Sequence, residues 1–317
     1  MVFIIAEIGS NWSSFQEAKD SISLAKNCGA DAVKFQLFNY KGFYGFEGPP
    51  SPHEMPVEWL PKLKEKADAV GIEFMCTAFS EDLYEAVDPY VKRHKIASSD
   101  NCVPQILQKV LSFGKPVIIS LGATSEPDIT KITRMIDGNK DRTTLMYCVA
   151  AYPSTQHNLF QIDGLRNKFP GFKIGLSDHS TDIYTSLSAV RHFAVPVLEK
   201  HVNFFESTGP DSGHSLDGER FKTLCGYLNG SLNPAEIRFQ REEKAMVLRH
   251  NRRLIATKDL KVGDVLRYGE NYGAFRSLED DVLGTNPLYW DRFEGMHLLE
   301  AVKCGKGLRP AAVHRAI

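Results

Sequence analysis

Eight short β-forming runs alternate with stretches of helical period over the first two-thirds of the chain. That alternation restricts the fold more than any single residue does. The runs are VFIIAEIG (2–9), DAVKFQ (31–36), IEFMCT (72–77), RHKIAS (93–98), PVIISLG (116–122), TTLMYCV (143–149), FKIGLS (172–177) and VPVLEKHV (195–202). Between most of them lie amphipathic segments such as 13–29, 56–71 and 180–193. Gly29, Gly71 and Gly114 stand where a helix should stop, since glycine takes the left-handed conformation past a helix end without strain. Strands that alternate with helices pair in parallel through right-handed crossovers. Eight such units in about 235 residues predict an α/β fold of the (β/α)8 TIM-barrel type. An open doubly wound sheet is the alternative, but it favours a glycine-rich phosphate loop, which this chain lacks.

The pattern changes after the barrel. Residues 232–250 (LNPAEIRFQREEKAMVLRH) are densely charged and contain a proline, and they read as a linker with a helix. Residues 252–276 carry short β-runs, a Gly-Asp turn and no long helical period. The expected division is a barrel over 1–235, a linker over 236–250 and a small β-rich domain over 251–317.

The rest of the composition excludes function classes. A net charge of −1 over 317 residues gives no basic field, so nucleic acid is not an expected partner. No apolar run approaches the roughly 20 residues that span a bilayer, so no membrane is expected. The opening MVFIIAEIG has no basic region before its apolar run and reads as a buried strand rather than a signal peptide. Six dispersed cysteines without a CxxC pair read as reduced thiols of a cytoplasmic protein. Without secretion, the sequon Asn11-Trp12-Ser13 is a chance match.

In a TIM barrel the C-terminal strand ends share one mouth, and the chemistry sits there. The segments IGLSDHS (174–180) and LEKHV (198–202) are consecutive β-runs that each end at a histidine. Such an arrangement can place His179 and His201 on one divalent cation. Two imidazoles are too few for a closed structural zinc site, which leaves positions for water and a substrate oxygen. Neutral imidazole suits Mn²⁺, Zn²⁺ or Co²⁺. An amidohydrolase barrel is a rival, but its HxH on the first strand is missing.

The other strand-end candidates are Glu7, Asn11, Lys34, Gln36, Thr77, Lys95, Ser98, Asp100, Ser120, Ser177, Asp178 and Lys200. A core does not tolerate such charges unpaired. They could form salt bridges across the interior, for instance Lys34 with Glu7. They could instead receive a small, multiply charged anion, with lysines as point charges and hydroxyls completing the hydrogen bonds. Glu7 and Asp178 could orient metal ligands from behind.

Taken together, AEIGSN (6–11), DAVKFQ (31–36), CTAFS (76–80), KIASSD (95–100), KPVIISLG (115–122), CVAAYPS (148–154), IGLSDHS (174–180), LEKHV (198–202) and GPDSGHSL (209–216) resemble the sialic acid (N-acetylneuraminate) synthase family. RRLIATKDLKVGDVL (252–266) resembles the opening of the antifreeze-like (SAF) domain that follows the barrel in that family. The resemblance implies condensation of phosphoenolpyruvate with an open-chain N-acyl mannosamine-type sugar, giving a nine-carbon 2-keto acid and phosphate. It implies a divalent metal on His179 and His201, Mn²⁺ first, with Mg²⁺ or Co²⁺ also fitting.

By the same resemblance Lys34, Thr77, Lys95, Ser98, Ser120 and Ser177 hold the phosphate and carboxylate, and Gln36 joins the substrate-binding set. Glu7 handles the proton or the water. Asp100 and Asp211 meet sugar hydroxyls. Arg276 reaches a partner subunit's site and contacts the sugar's acyl group, which implies a domain-swapped homodimer. Departures from the family's pattern fall at Trp12-Ser13, at Ala150, at SLGAT (120–124), in the aromatic loop 39–52 and around Arg276. They leave legionaminic and pseudaminic precursors open as acceptors beside N-acetylmannosamine. A synthase for a seven- or eight-carbon keto acid and a non-catalytic sugar-binding paralogue are the other readings.

Overall fold

The structure is a computed structural model that describes residues 2–229, 252–276 and 284–314. The expected linker over 236–250 lies outside the described residues. Eight parallel strands close into a barrel in chain order. They are β1 (Phe3–Gly9), β2 (Ala32–Leu37), β3 (Glu73–Ala78), β4 (His94–Ile96), β5 (Val117–Ser120), β6 (Thr143–Cys148), β7 (Lys173–Asp178) and β8 (Val197–His201). Each falls within a residue or two of an expected run or is shorter than it. β8 returns to pair with β1, which sets Glu7 opposite His201 on one side and opposite Lys34 on the other.

The helices form where the periodicity and caps placed them. In α1 (Phe15–Cys28) the Ser14 hydroxyl accepts from the Glu17 amide, and the Glu17 carboxylate accepts from the Ser13 amide. This satisfies donors that the first turn leaves free. Its buried residues Ala18, Ser21, Ile22 and Ala25 keep the three-and-four spacing of one face. Gly29, left-handed at φ +96°, closes the helix. Asn11 is fully buried and donates to Ser215 Oγ at 2.8 Å, while Trp12 packs on Trp59 at 5.0 Å between ring centroids. The asparagine of the apparent sequon is therefore core.

Alternation along the strands builds the barrel interior in two layers. Ile5, Ala32, Met75, Ile118, Met146 and Val197 pack together as an apolar floor. Two residues further along each of those strands, on the same inward face, stand Glu7, Lys34, Thr77, Ser120, Cys148 and Glu199. β7 contributes Gly175 at floor level, where a Cβ would lie 2.7 Å from the Val197 carbonyl oxygen. Only glycine lets β7 and β8 approach so closely, and Ser177 then joins the polar layer. A charged layer thus rests on a dry plug, and the mouth opens above it.

The C-terminal unit holds two antiparallel pairs, β9 (Arg253–Ala256) with β10 (Tyr272–Phe275) and β11 (His297–Leu298) with β12 (Val313–His314). It has its own core around Leu254, Leu266, Tyr272, Phe293 and Leu298. Ala274 and Leu288 pack instead into the barrel's cluster, and Asn286 Nδ2 donates to Asp128 at 3.1 Å. Among the described residues no helix is long and apolar enough to cross a membrane. None of the six cysteines is in a disulfide.

Candidate active site

The expected site residues other than Asn11, Asp100, Asp178 and Lys200 line one cavity of about 690 Å³ at the C-terminal strand ends. At its base two lysines meet two carboxylates. Lys34 Nζ lies 2.6 Å from Glu7 Oε2 and 3.6 Å from Glu199 Oε2, and it donates to Thr77 Oγ1 at 3.0 Å. Lys95 Nζ lies 3.2 Å from Glu199 Oε1, which also accepts from Ser177 at 3.0 Å. The salt bridge considered for Lys34 and Glu7 therefore exists, and it forms part of the cavity floor.

Glu199 is not among the strand-end candidates. Its signal was parity: it stands two residues before His201 on β8, so it faces inward with it.

The two carboxylates are driven apart. Burial pushes Glu7 up to about 7 against the pull of Lys34, with Glu199 adding to the rise. Burial would raise Glu199 too, but Lys34 and Lys95 together hold it at about 2. One carboxylate is thus a fixed anion, and the other can hold or release a proton near neutrality, the arrangement that separates acid–base roles in a shared site. Gln36 Nε2 links Glu7 to Asp211, at 3.2 and 3.4 Å. Burial lifts Asp211 to about 6.

Three imidazoles crowd the opposite wall. His179 Nδ1 lies 2.8 Å from the Val149 carbonyl oxygen. A carbonyl can only accept, so Nδ1 carries the hydrogen and Nε2 keeps its lone pair, as in many metal-bound histidines. The His179 ring lies 5.3 Å from His201, and His201 lies 4.5 Å from His214, centroid to centroid. Ligand atoms of His201, Asp211 and His214 lie within 4.8 Å of one another. His201 Nδ1 is buried with no hydrogen-bond partner among the described residues. Burial holds His179 at about 4 and His201 well below the usual range, so both rings are neutral, the ligating form. This donor set fits a borderline divalent cation. His214 enlarges the expected pair. The sequence hid it in a loop, where no strand parity marks a direction.

Three residues expected at the mouth are placed elsewhere. Lys200 and Asp178 do not face the cavity. Lys200 Nζ donates to Asp178 Oδ2 at 2.9 Å and to the Ser180 carbonyl at 2.7 Å. Asp178 also accepts from Ser186 Oγ and from the Ser180 amide. Both are sequence neighbours of inward residues, so they point outward to the helices. There Lys200 outweighs burial and holds Asp178 at about 2. Asp100 is likewise fully buried and away from the cavity, bound by Arg252.

The upper wall is aromatic. Phe38, Tyr40, Phe43, Tyr44 and Phe79 line it, together with Tyr152 and Ala150. The Arg276 guanidinium carbon stands 4.1 Å from the Phe43 ring centroid, and the Arg276 amide donates to the Phe43 carbonyl at 2.7 Å. The resemblance implied this arginine at a partner's site; here it lines the cavity of its own chain.

Residues 51–231 match the model of the NeuB family. Pseudaminic acid synthase of Campylobacter jejuni is 28% identical over 338 residues, with 97% of this chain and 95% of that protein covered. N,N'-diacetyllegionaminic acid synthase of Legionella pneumophila is 34% identical over 253 residues, with 70% of each covered. Among solved structures, the spore coat polysaccharide biosynthesis protein SpsE of Bacillus subtilis superposes with a TM-score of 0.82 at 23% identity, covering 100% of this chain and 96% of that one, a likeness of fold. The family match takes in the barrel from its second loop to its last helix, and with it most of the cavity's residues: the chain belongs to the NeuB family.

Proposed function

We propose that the chain condenses phosphoenolpyruvate with an N-acyl amino sugar in its open-chain aldehyde form, giving a nine-carbon 2-keto acid and phosphate. The observation that carries this reading is the base of the cavity, where Lys34 and Lys95 are held by Glu199 beneath a ring of hydroxyls. Two ammoniums at the base of the cavity suit a small trianion. Ser98, Ser120 and Ser177 line the same base and supply further hydrogen bonds to phosphate and carboxylate.

The methylene carbon of the enol attacks the aldehyde carbon, and the aldehyde oxygen becomes a hydroxyl by taking a proton. Positive charge develops at the carbon bearing phosphate, water adds there, and a proton leaves. Collapse of that centre expels phosphate and leaves the ketone. Glu7, poised near neutrality at the base, is the group in place to hold the proton that water loses. Asp211, beside Gln36, faces the sugar's hydroxyls, and Arg276 over Phe43 offers donors to an acyl carbonyl. Fixing both substrates in register supplies much of the acceleration.

His201, Asp211 and His214, with His179 beside them, would hold a divalent cation, Mn²⁺ in the first instance, whose chemistry when bound is Lewis-acid polarisation of the aldehyde. His201→Ala is expected to weaken metal affinity by at least about a hundredfold without unfolding the barrel. Elemental analysis after dialysis checks it, and metal content equal to that of the unaltered chain would remove His201 from the ligand set.

The reaction is tested by phosphate release from phosphoenolpyruvate with Mn²⁺, against 2-acetamido and 2,4-diacetamido hexoses, with mass spectrometry of the product. Release with one sugar and the matching keto-acid mass would fix reaction and acceptor together. No release from metal-loaded protein with any of them would favour the non-catalytic reading. The homodimer that the resemblance implies is tested by co-expressing His201→Ala and Arg276→Ala chains. Exchange of small domains would pair an intact barrel with an intact Arg276 and restore turnover at low sugar concentration. Two chains that each close their own site would stay impaired.

A further inference from the structure

The boundary between the barrel and the C-terminal unit contains a buried charge pair that the proposed chemistry does not use. Asp100, fully buried in the loop after β4, accepts from Arg252 Nε at 2.5 Å. Arg252 stands just ahead of β9 and is also buried. The same guanidinium donates through Nη1 to the Ala274 carbonyl at 3.0 Å, and the Arg252 amide donates to the Ser99 carbonyl at 3.2 Å. Ala274 lies near the end of β10, two residues before Arg276. Ser99, whose carbonyl Arg252 engages, also accepts from Arg276 Nη2 through its hydroxyl at 3.3 Å. Asp100, Arg252, Ser99 and Ala274 therefore form one hydrogen-bonded frame around the base of the Arg276 side chain.

From this geometry we infer that Arg252 and Asp100 are positioning residues that aim Arg276 at the acceptor side of the cavity. A buried ion pair is a weak source of net stability, because desolvation offsets the attraction. Hydrophobic residues would dock the unit equally well. A planar guanidinium that reaches a carboxylate and a carbonyl at once fixes a direction, which a lysine ammonium cannot do. The frame's hydrogen bonds run to Ser99 and Ala274, whereas Lys34 and Lys95 at the base of the cavity are held by Glu7, Thr77 and Glu199. The effect should thus fall on the sugar and spare phosphoenolpyruvate.

This inference rests on the proposed condensation, so its test has one arm that needs activity and one that does not. Arg252→Lys is expected to raise KM for the sugar by about tenfold, with KM for phosphoenolpyruvate and kcat within about twofold. Asp100→Asn should do the same. In an Arg276→Ala background neither change should raise the sugar KM further, because the residue they aim is gone. In the second arm, amide hydrogen exchange at Arg276, whose N–H is bonded to Phe43, should speed up in Arg252→Lys while amides of β2 and β8 keep their protection. A full additional KM increase in the Arg276→Ala background, equal effects on both substrates, or unchanged exchange at Arg276 would overturn the inference. Absence of turnover in the unaltered chain would count against the condensation instead, and the exchange arm would still decide whether the frame positions Arg276.

Discussion

Lys95→Met is expected to lower kcat/KM for phosphoenolpyruvate by about a thousandfold while changing folding stability by no more than about 1 kcal/mol. The two halves have separate causes. Lys95 is buried, and burial pulls its pKa down even though Glu199 opposes the shift. Its Nζ stands 3.2 Å from Glu199, with two lone-pair-seeking hydrogens left to aim into the cavity. Methionine keeps the stem and deletes the charge. The floor then holds one ammonium against one fixed carboxylate, so the approaching trianion meets no net positive charge. The folded chain loses little, because Glu199 keeps Lys34 at 3.6 Å and the Ser177 hydroxyl at 3.0 Å and is not left unpaired. Steady-state kinetics with phosphoenolpyruvate varied at saturating sugar read the first half, and denaturant midpoints read the second. Activity within tenfold of the unaltered chain would remove Lys95 from the anion site.

The barrel was legible because its determinants are local. Each β-run carries its own alternation, and each helix its own stop, as at Gly29 and Gly71. The strand ends were legible for the same reason: a polar residue inside an apolar run, such as Lys34 or Lys95, has few explanations besides a mouth. Facing was harder. Lys200 and His201 are adjacent, and a list of strand-end residues treats them alike. The pleat sends His201 into the cavity and Lys200 into a buried pair with Asp178. Applying parity strictly from His201 would have found Glu199 and set Lys200 aside. Loops offer no such rule. His214 and the aromatic residues of the short helix α2 (Tyr40–Tyr44) reach the cavity through connections whose paths depend on everything they pack against. Asp100 shows the same limit at a domain boundary, since its partner Arg252 lies 152 positions away along the chain.

Glu199→Gln should do the reverse of Lys95→Met, and the contrast is a sharper test than either variant alone. Glu199 is the carboxylate through which Lys34 and Lys95 are held together, at 3.6 and 3.2 Å, and burial screens none of their repulsion. A glutamine oxygen can accept from one of them but carries no charge, so Lys95 would lose its counter-charge and Lys34 would keep only that of Glu7, 2.6 Å away. Breaking a buried pair from one side costs about 3 kcal/mol or more, and the denaturant midpoint should fall accordingly at constant m. The same substitution makes the cavity floor more positive, so inorganic phosphate and phosphoenolpyruvate should bind more tightly. A ligand that binds only the folded state should then recover a larger part of the lost stability than it adds to the unaltered chain. Unfolding curves with and without phosphate read both effects in one experiment. If stability and anion affinity fell together, Glu199 would be acting as a direct ligand-binding group and not as the counter-charge that keeps two lysines at the base of the cavity.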